Sequence, residues 1–192
     1  VILGGDANDK GAVEAINKKA FANCSSIVNI TLPETISVIQ DEAFASCTSL
    51  KSITVPTAVT TLSQKLFNGC SSLTAVKYSS ELTKIGNYAF CNCTALTGVT
   101  YDASAIISNS GVSIDGEYVN GVTMPSSVTS IGTDAFYNCS SLNAIQISER
   151  VTSIGSKAFM LCTGIKEITV PSGVKAINGS VFQDCSSLKK VV

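Results

Sequence analysis

The chain has 192 residues, 45% of them hydrophobic, and a net charge of −1 with only 14% charged residues. This composition argues against a nucleic-acid surface or a polybasic membrane patch, because both need clustered Lys and Arg. The sequence has no histidine, the commonest general base, and no apolar run near the roughly 20 residues that cross a bilayer.

The first ten residues, VILGGDANDK, lack the charged and then apolar segments of a signal peptide. The last residues, SSLKKVV, stop inside a repeat unit. We therefore expect a mature or excised part of a larger protein.

All phenylalanines share one phase of a 23-residue period, with one double gap: Phe21, Phe44, Phe67, Phe90, Phe136, Phe159 and Phe182. A period of this length is typical of a stacked solenoid. Because the period never slips, the sequence predicts a single domain over residues 1–192. Counting an initial half-unit at Val13 and Ile16, we expect about eight coils.

Each unit predicts the same order of elements. Residues such as Lys51–Val55 alternate in polarity, which predicts a strand with Ile53 and Val55 inward and Thr54 outward. Proline ends this strand, and a second extended piece ends at glycine, as in Val128–Ile131 followed by Gly132. The A-F-x-x-C stretch predicts one or two helical turns, α or 3₁₀.

One unit is degenerate, over about residues 102–124. Ser113 stands at the phenylalanine phase and Gly116 at the cysteine phase, whereas Val122 and Ile131 keep the apolar register. This departure favours a bulge, a loop or a binding site at the middle of the chain.

The unit L-x-x-I-x-V-P-x-x-V-x-x-I-G-x-x-A-F-x-x-C resembles the BspA-like leucine-rich repeat from about Val13 to Val192. The resemblance implies an α/β repeat solenoid, a right-handed arc with short parallel strands on its concave face and short helical turns opposite. It also implies a secreted or cell-surface protein, and several relatives of this kind are adhesins. The family pattern brings no catalytic residue, metal or cofactor to this sequence.

Seven cysteines lie three residues after the phenylalanine phase: Cys24, Cys47, Cys70, Cys93, Cys139, Cys162 and Cys185. Equivalent neighbours on both sides specify no disulfide pairing, and a spacing of 23 is not a metal-binding spacing. We expect buried free thiols. Cys91 is off phase, and we expect it to be the exposed one.

The candidate ligand-binding residues are the outward strand positions and two tyrosines of the middle third: Thr54, Lys77, Thr100, Tyr118, Thr123, Tyr137 and Gln146. Threonine is also an ordinary exposed strand residue, which is the simpler explanation of the row. Tyrosine is enriched at binding hot spots. Asp102, Asp115 and Glu117 suggest a calcium site or a pair of catalytic acids only weakly, because loop acids are usually solvated.

These patterns predict a non-catalytic binding or adhesion module that recognises a protein or glycan, host-derived in one interpretation. Contacts would come from the concave face or the irregular middle coil. The alternative is a rigid spacer that presents another domain. Open solenoid ends also predict end-to-end self-association.

Overall fold

A computed structural model describes residues 12–101, 111–114, 117–120 and 122–192 as a parallel β-solenoid of about seven turns. The strands are β1 Ala15–Ile16, β2 Val38–Ile39, β3 Ser52–Thr54, β4 Thr61–Leu62, β5 Ala75–Tyr78, β6 Lys84–Ile85, β7 Gly98–Tyr101, β8 Gly111–Ile114, β9 Glu117–Asn120, β10 Val122–Thr123, β11 Ser130–Ile131, β12 Ile145–Gln146, β13 Ser153–Ile154, β14 Glu167–Ile168 and β15 Lys190–Val191. Within the described ranges there is no helix.

The front sheet consists of five parallel strands in the order β12-β10-β7-β5-β3. Ile53 pairs with Val76, which pairs with Val99, so each step equals one 23-residue period. Ile53 is 3% exposed, while Ser52 and Thr54 are exposed. The predicted alternation of inward and outward residues in these strands is confirmed.

The side sheet contains four parallel strands in the order β13-β11-β6-β4. Leu62 pairs with Ile85, and Ile131 pairs with Ile154, one period apart. Between these pairs, however, Ile85 pairs directly with Ile131, so this sheet skips a whole period. The strands β1 and β2 form a further parallel pair, as do β14 and β15, while β8 and β9 form an antiparallel hairpin.

The phenylalanine rings form one continuous stack with centroid spacings of 5.2–5.9 Å. Phe90 and Phe136 are direct neighbours at 5.2 Å despite the double gap in sequence. The degenerate unit therefore adds no layer to this stack. The prediction of about eight coils is not confirmed, and the solenoid has about seven turns.

The segments around each phenylalanine, here called Phe turns, were predicted to be helical and are instead chains of hydrogen-bonded turns. The N–H groups of Glu42, Phe44 and Ser46 donate to carbonyls of the next coil at 2.7–3.1 Å. Only the intervening N–H groups of Ala43 and Ala45 donate three residues back. A helix would direct successive N–H groups along its own axis, so alternate groups could not all donate to the next coil.

Two residues in every Phe turn adopt a left-handed backbone, two positions before and two after the phenylalanine. Glu42 and Ser46 show φ values of 59°, and Lys157 and Leu161 show 56° and 62°. Side chains other than Gly, Asn and Asp rarely adopt this conformation. N–H groups in these turns donate alternately within the turn and to the next coil. This pattern imposes a left-handed backbone on residues that would not adopt it by local preference.

The cysteine ladder gives each buried thiol a partner. The Sγ atoms of Cys47, Cys70, Cys93, Cys139, Cys162 and Cys185 each donate to the phenylalanine carbonyl of the preceding coil at 3.0–3.2 Å. All eight cysteines are free, as expected, and Cys24 is half-buried. The prediction that Cys91 is exposed is wrong: it is 7% exposed, like Ala45 in the same phase, because both side chains are short, whereas the longer Asn68 and Tyr137 in this phase are half-buried.

Glycine follows the side-sheet strands at Gly86, Gly132 and Gly155. A Cβ atom there would lie 2.6, 2.6 and 2.3 Å from backbone atoms of the preceding coil, closer than real Cβ atoms approach. A Cβ atom at Gly179, by contrast, would meet nothing within 4 Å. Glycine is thus required at these three positions, because the coils lie too close together there for a Cβ atom.

Gly155→Ala is expected to lower the free energy of unfolding by at least about 2 kcal/mol, because the new methyl group must push a backbone apart. The matched control, Gly179→Ala, should leave stability unchanged or raise it by about 0.5 kcal/mol, because alanine lowers the conformational entropy of the unfolded chain. Urea unfolding followed by circular dichroism measures both. Equal stability of the two variants would contradict the spacing argument.

Stability should fall at alkaline pH because of the buried thiols. Burial raises the pKa of Cys47 to about 11 and that of Cys70 to about 12. Thiols of the unfolded chain titrate near pH 8.5, so above that pH the unfolded state loses protons that the folded state keeps. The free energy of unfolding should then fall by up to about 1.4 kcal/mol per pH unit for each such cysteine.

Urea unfolding at pH 7.5, 8.5 and 9.5, with a reductant present, measures this decline. Burial also raises the pKa of Cys93 and Cys139 well above the ordinary value. A variant with both changed to Ala should therefore show a shallower decline than the parent chain. A decline of the same slope in both proteins would assign it to other groups.

Candidate functional site

The front sheet carries a row of residues that backbone register aligns with the exposed Thr54, here called the front row: Thr54, Lys77, Thr100, Thr123 and Gln146. Thr54 pairs with Lys77, Lys77 with Thr100, and Thr123 with Gln146. Val99 pairs with Val122, which brings the two halves of the row side by side. Thr54 and Gln146 are exposed, and Lys77 and Thr123 are half-buried. Five of the seven predicted site residues therefore share one face.

Two adjoining shallow depressions lie along the N-terminal part of this face. One is lined by Glu34, Thr54, Val55, Thr57, Lys77, Tyr78, Ser79 and Ser80, and the other by Asn29, Ile30, Thr31, Leu32, Glu34, Ser52, Ile53 and Thr54. Glu34 and Thr54 line both, so the depressions form one surface across neighbouring coils. Its lining combines hydroxyl-bearing residues with apolar ones, and includes one carboxylate and one ammonium group.

Glu34 is a residue of this surface that the sequence analysis missed. Its Oε2 atom accepts hydrogen bonds from the N–H and the Oγ1 hydroxyl of Thr57, both at 3.1 Å. The sequence does contain a signal for this contact, because Glu34 and Thr57 each follow a strand-ending proline, one period apart. These two bonds fix the carboxylate beside the front row.

Lys77 carries the positive charge at the front row. The ion pairs found within the described ranges join Lys19 to Glu42 and Lys190 to Glu167, and neither involves Lys77. Lys77 lines the same depression as Thr54, Ser79 and Ser80. A half-buried cation without an ion-pair partner in this part of the chain is available to a carboxylate of a ligand.

The two predicted tyrosines lie elsewhere. Tyr118 belongs to β9, opposite Ser113 of β8 in the antiparallel hairpin. Tyr137 is half-buried in a Phe turn, where its carbonyl accepts the N–H of Asn92 at 2.8 Å. The structure therefore does not place Tyr137 on the front row, because Phe turns follow the side sheet.

The hairpin itself was missed by the sequence analysis. Ile114 pairs with Glu117, so two residues, Asp115 and Gly116, connect β8 to β9. An Asp-Gly pair between alternating apolar residues is a strong hairpin signal. Asp102 and Asp115, two of the acids weighed for calcium, lie outside the described residues. Over the described ranges, no group of three acidic or cysteine side chains is positioned to hold a metal ion.

A polar cluster lies near Tyr137 on the Phe turns. Lys65 Nζ lies 5.6 Å from the ring centroid of Tyr88, and Asp134 is 8% exposed. The negative charge of Asp134, and then desolvation, raise the pKa of Tyr88. Burial likewise raises the pKa of Cys91 to about 11. Both groups are neutral at physiological pH, so the cluster contains no activated nucleophile.

Stacked parallel strands, a ring ladder and a broad exposed face define a leucine-rich repeat solenoid. The profile of the BspA type leucine rich repeat region matches six copies over residues 9–112 and 115–192. The chain belongs to the BspA-type leucine-rich repeat family. Members of this family are generally non-catalytic and typically act in protein interaction or adhesion.

The chain is similar to several solved structures, of which the one from Treponema pallidum supports the fold. A leucine-rich repeat protein of Treponema pallidum is 26% identical with a TM-score of 0.70, over 85% of this chain and 68% of its own. One from Bacteroides ovatus is 21% identical with a TM-score of 0.46, over 100% and 63%. A leucine-rich cell surface protein of Faecalibacterium prausnitzii is 22% identical with a TM-score of 0.39, over 99% and 72%.

Curated proteins include no match to this sequence. A bilayer-spanning helix, long and apolar throughout, does not occur among the residues with described positions.

Tyr78 supports the front sheet from inside. It is 2% exposed, and its hydroxyl donates to the carbonyl of Thr123 at 2.9 Å. Thr123 belongs to β10, two strands away from β5 in the sheet order. This hydrogen bond therefore fixes β10 to the coil that precedes β7.

Tyr78→Phe should lower the free energy of unfolding by about 1–2 kcal/mol, because a buried carbonyl loses a donor without a change in side-chain packing. Tyr137→Phe is the control, since its side chain is only half-buried, and it should change stability by less than about 0.5 kcal/mol. Thermal and urea unfolding measure both variants. A neutral Tyr78→Phe would show that the hydroxyl does not hold β10.

Proposed function

We propose that this protein is a non-catalytic recognition module that binds a protein partner through the front row. The observation that supports the proposal most directly is the polar row across five adjacent strands, with Thr54 and Gln146 exposed and a half-buried cation at Lys77. Threonine, lysine and glutamine side chains offer donors and acceptors that the coil-to-coil hydrogen bonds leave available.

The dimensions of the face favour a protein over a small molecule. Five strands about 4.8 Å apart span about 19 Å, and the depressions along them are shallow and open. Small ligands usually bind in deep, mostly apolar cavities. The front row itself carries one charged group, the ammonium of Lys77, and the neighbouring Glu34 carboxylate already accepts two hydrogen bonds from Thr57. The front row therefore suits an acidic segment on the surface of a partner. A glycan is the second ligand class to test.

Family membership supports a location at the cell surface or outside the cell. BspA-type repeats resemble modules of proteins that are secreted or anchored at the cell surface, and we propose the same location for this protein. A rigid spacer is the second candidate function, favoured by the unbroken stack of rings from Phe21 to Phe182.

An array of secreted and cell-surface proteins, with a parallel glycan array, tests the proposal. Lys77→Glu should weaken binding to the strongest protein hit by at least about tenfold, because an attractive charge becomes repulsive. Surface plasmon resonance measures the dissociation constant.

The matched control is Lys84→Glu. Lys84 carries the same charge, is exposed, and lies on β6 of the side sheet. It should leave the affinity within about twofold. Equal losses for both variants would indicate a general charge effect and contradict the front row, and two arrays without a hit would favour the spacer.

A further inference from the structure

The two sheets of the solenoid disagree in strand number over the same stretch of chain. From the coil of β3 and β4 to the coil of β12 and β13, the front sheet has five strands and the side sheet four. The additional strand is β10, which pairs with β7 on one side and β12 on the other. The side sheet and the phenylalanine stack pass this point without an additional member.

The sequences before and after residues 102–124 form a regular repeat when those residues are left out. Removing residues 102–124 deletes one 23-residue period and joins Tyr101 to Pro125. The joined sequence GVTY-PSSVTSIG then matches AVKYSSELTKIG of residues 75–86, position by position in polarity. Every later phenylalanine returns to the single period.

The hydrogen bonds agree with this alignment. Ser127 Oγ lies 2.6 Å from the carbonyl oxygen of Ser80, and the N–H of Thr129 donates to the carbonyl of Thr83 at 3.1 Å. Tyr101 pairs with Tyr78, immediately before the same coil. The chain after β10 therefore occupies the layer that continues from β7, and Pro125 takes the position that follows Tyr101.

We infer that residues 102–124 are an insertion of one period into a complete solenoid, and that its role is to widen the recognition face by the strand β10. This inference rests on the proposed function. The insertion adds Thr123 to the front row and about 4.8 Å to the front sheet alone. Coils on its two sides must therefore diverge on the front, which adapts this face to a flat or concave partner protein spanning all five strands.

A deletion variant lacking residues 102–124 tests the first half of the inference. It should fold cooperatively, with a midpoint of thermal unfolding no lower than that of the full chain. Its crystal structure should show β7 paired with β12 and four strands in both sheets. A deletion variant that is unfolded or aggregated would overturn the inference, because the flanking coils would then not be complete without the insertion.

The second half is tested with the protein array and two variants. The deletion variant retains Thr54, Lys77, Thr100 and Gln146 but should bind the strongest hit of the full chain at least about tenfold more weakly. Replacing residues 103–120 with a Gly/Ser linker of equal length retains β10, so this variant should bind within about threefold of the full chain. Full binding by the deletion variant, or loss of binding by the folded linker variant, would overturn the role assigned to β10.

Failure of this inference can be distinguished from failure of the proposed function. An array without protein hits contradicts front-row recognition and with it the role of β10, whereas the folding and crystal structure of the deletion variant still decide whether 102–124 is an insertion. Conversely, a Lys77-dependent hit with equal affinity for both lengths of chain supports recognition and rejects the widened face.

Discussion

The structure depends on the sharing of backbone donors between coils. In every Phe turn that a further coil follows, alternate N–H groups donate to that coil, and the remainder close the turn in which they lie. Buried backbone groups must be paired, and this arrangement pairs donors both within a coil and between coils. It also requires two left-handed residues in every turn, and it places each phenylalanine directly over the previous one. The thiol-to-carbonyl ladder occupies the second acceptor site of the same phenylalanine carbonyls.

The period and the polarity of its positions were sufficient to predict the parallel strands, the inward residues and the buried cysteines. They were insufficient for the Phe turns, because left-handed positions are occupied by Tyr88 and Leu161 as readily as by Asn92 or Gly69. Local preference therefore carries little information about a conformation that contacts between coils impose. The front row was predicted from the same period, whereas Glu34 was missed because its role arises from Thr57 in another coil.

The middle of the chain shows how a repeat protein can vary without losing its register. A sequence phase counts residues and does not reveal which sheet those residues join. Both a complete coil and a strand with a hairpin restore the phase after one period. The pairing of Ile85 with Ile131 distinguishes the two arrangements, and that pairing is a tertiary contact. The front sheet thus gains a strand while the rings keep an unbroken stack.

The cysteine ladder has a consequence for the environments in which this fold can persist. Its thiols are held by a carbonyl of the adjacent coil and are free, so no covalent cross-link contributes to stability. Small extracellular domains commonly depend on disulfides and lose their fold when these are reduced. Here the native state requires no oxidant to form and has no bond for a reductant to break. A solenoid of this type is equally suited to anaerobic surroundings and to aerated ones, where close packing shields the ladder from oxidation.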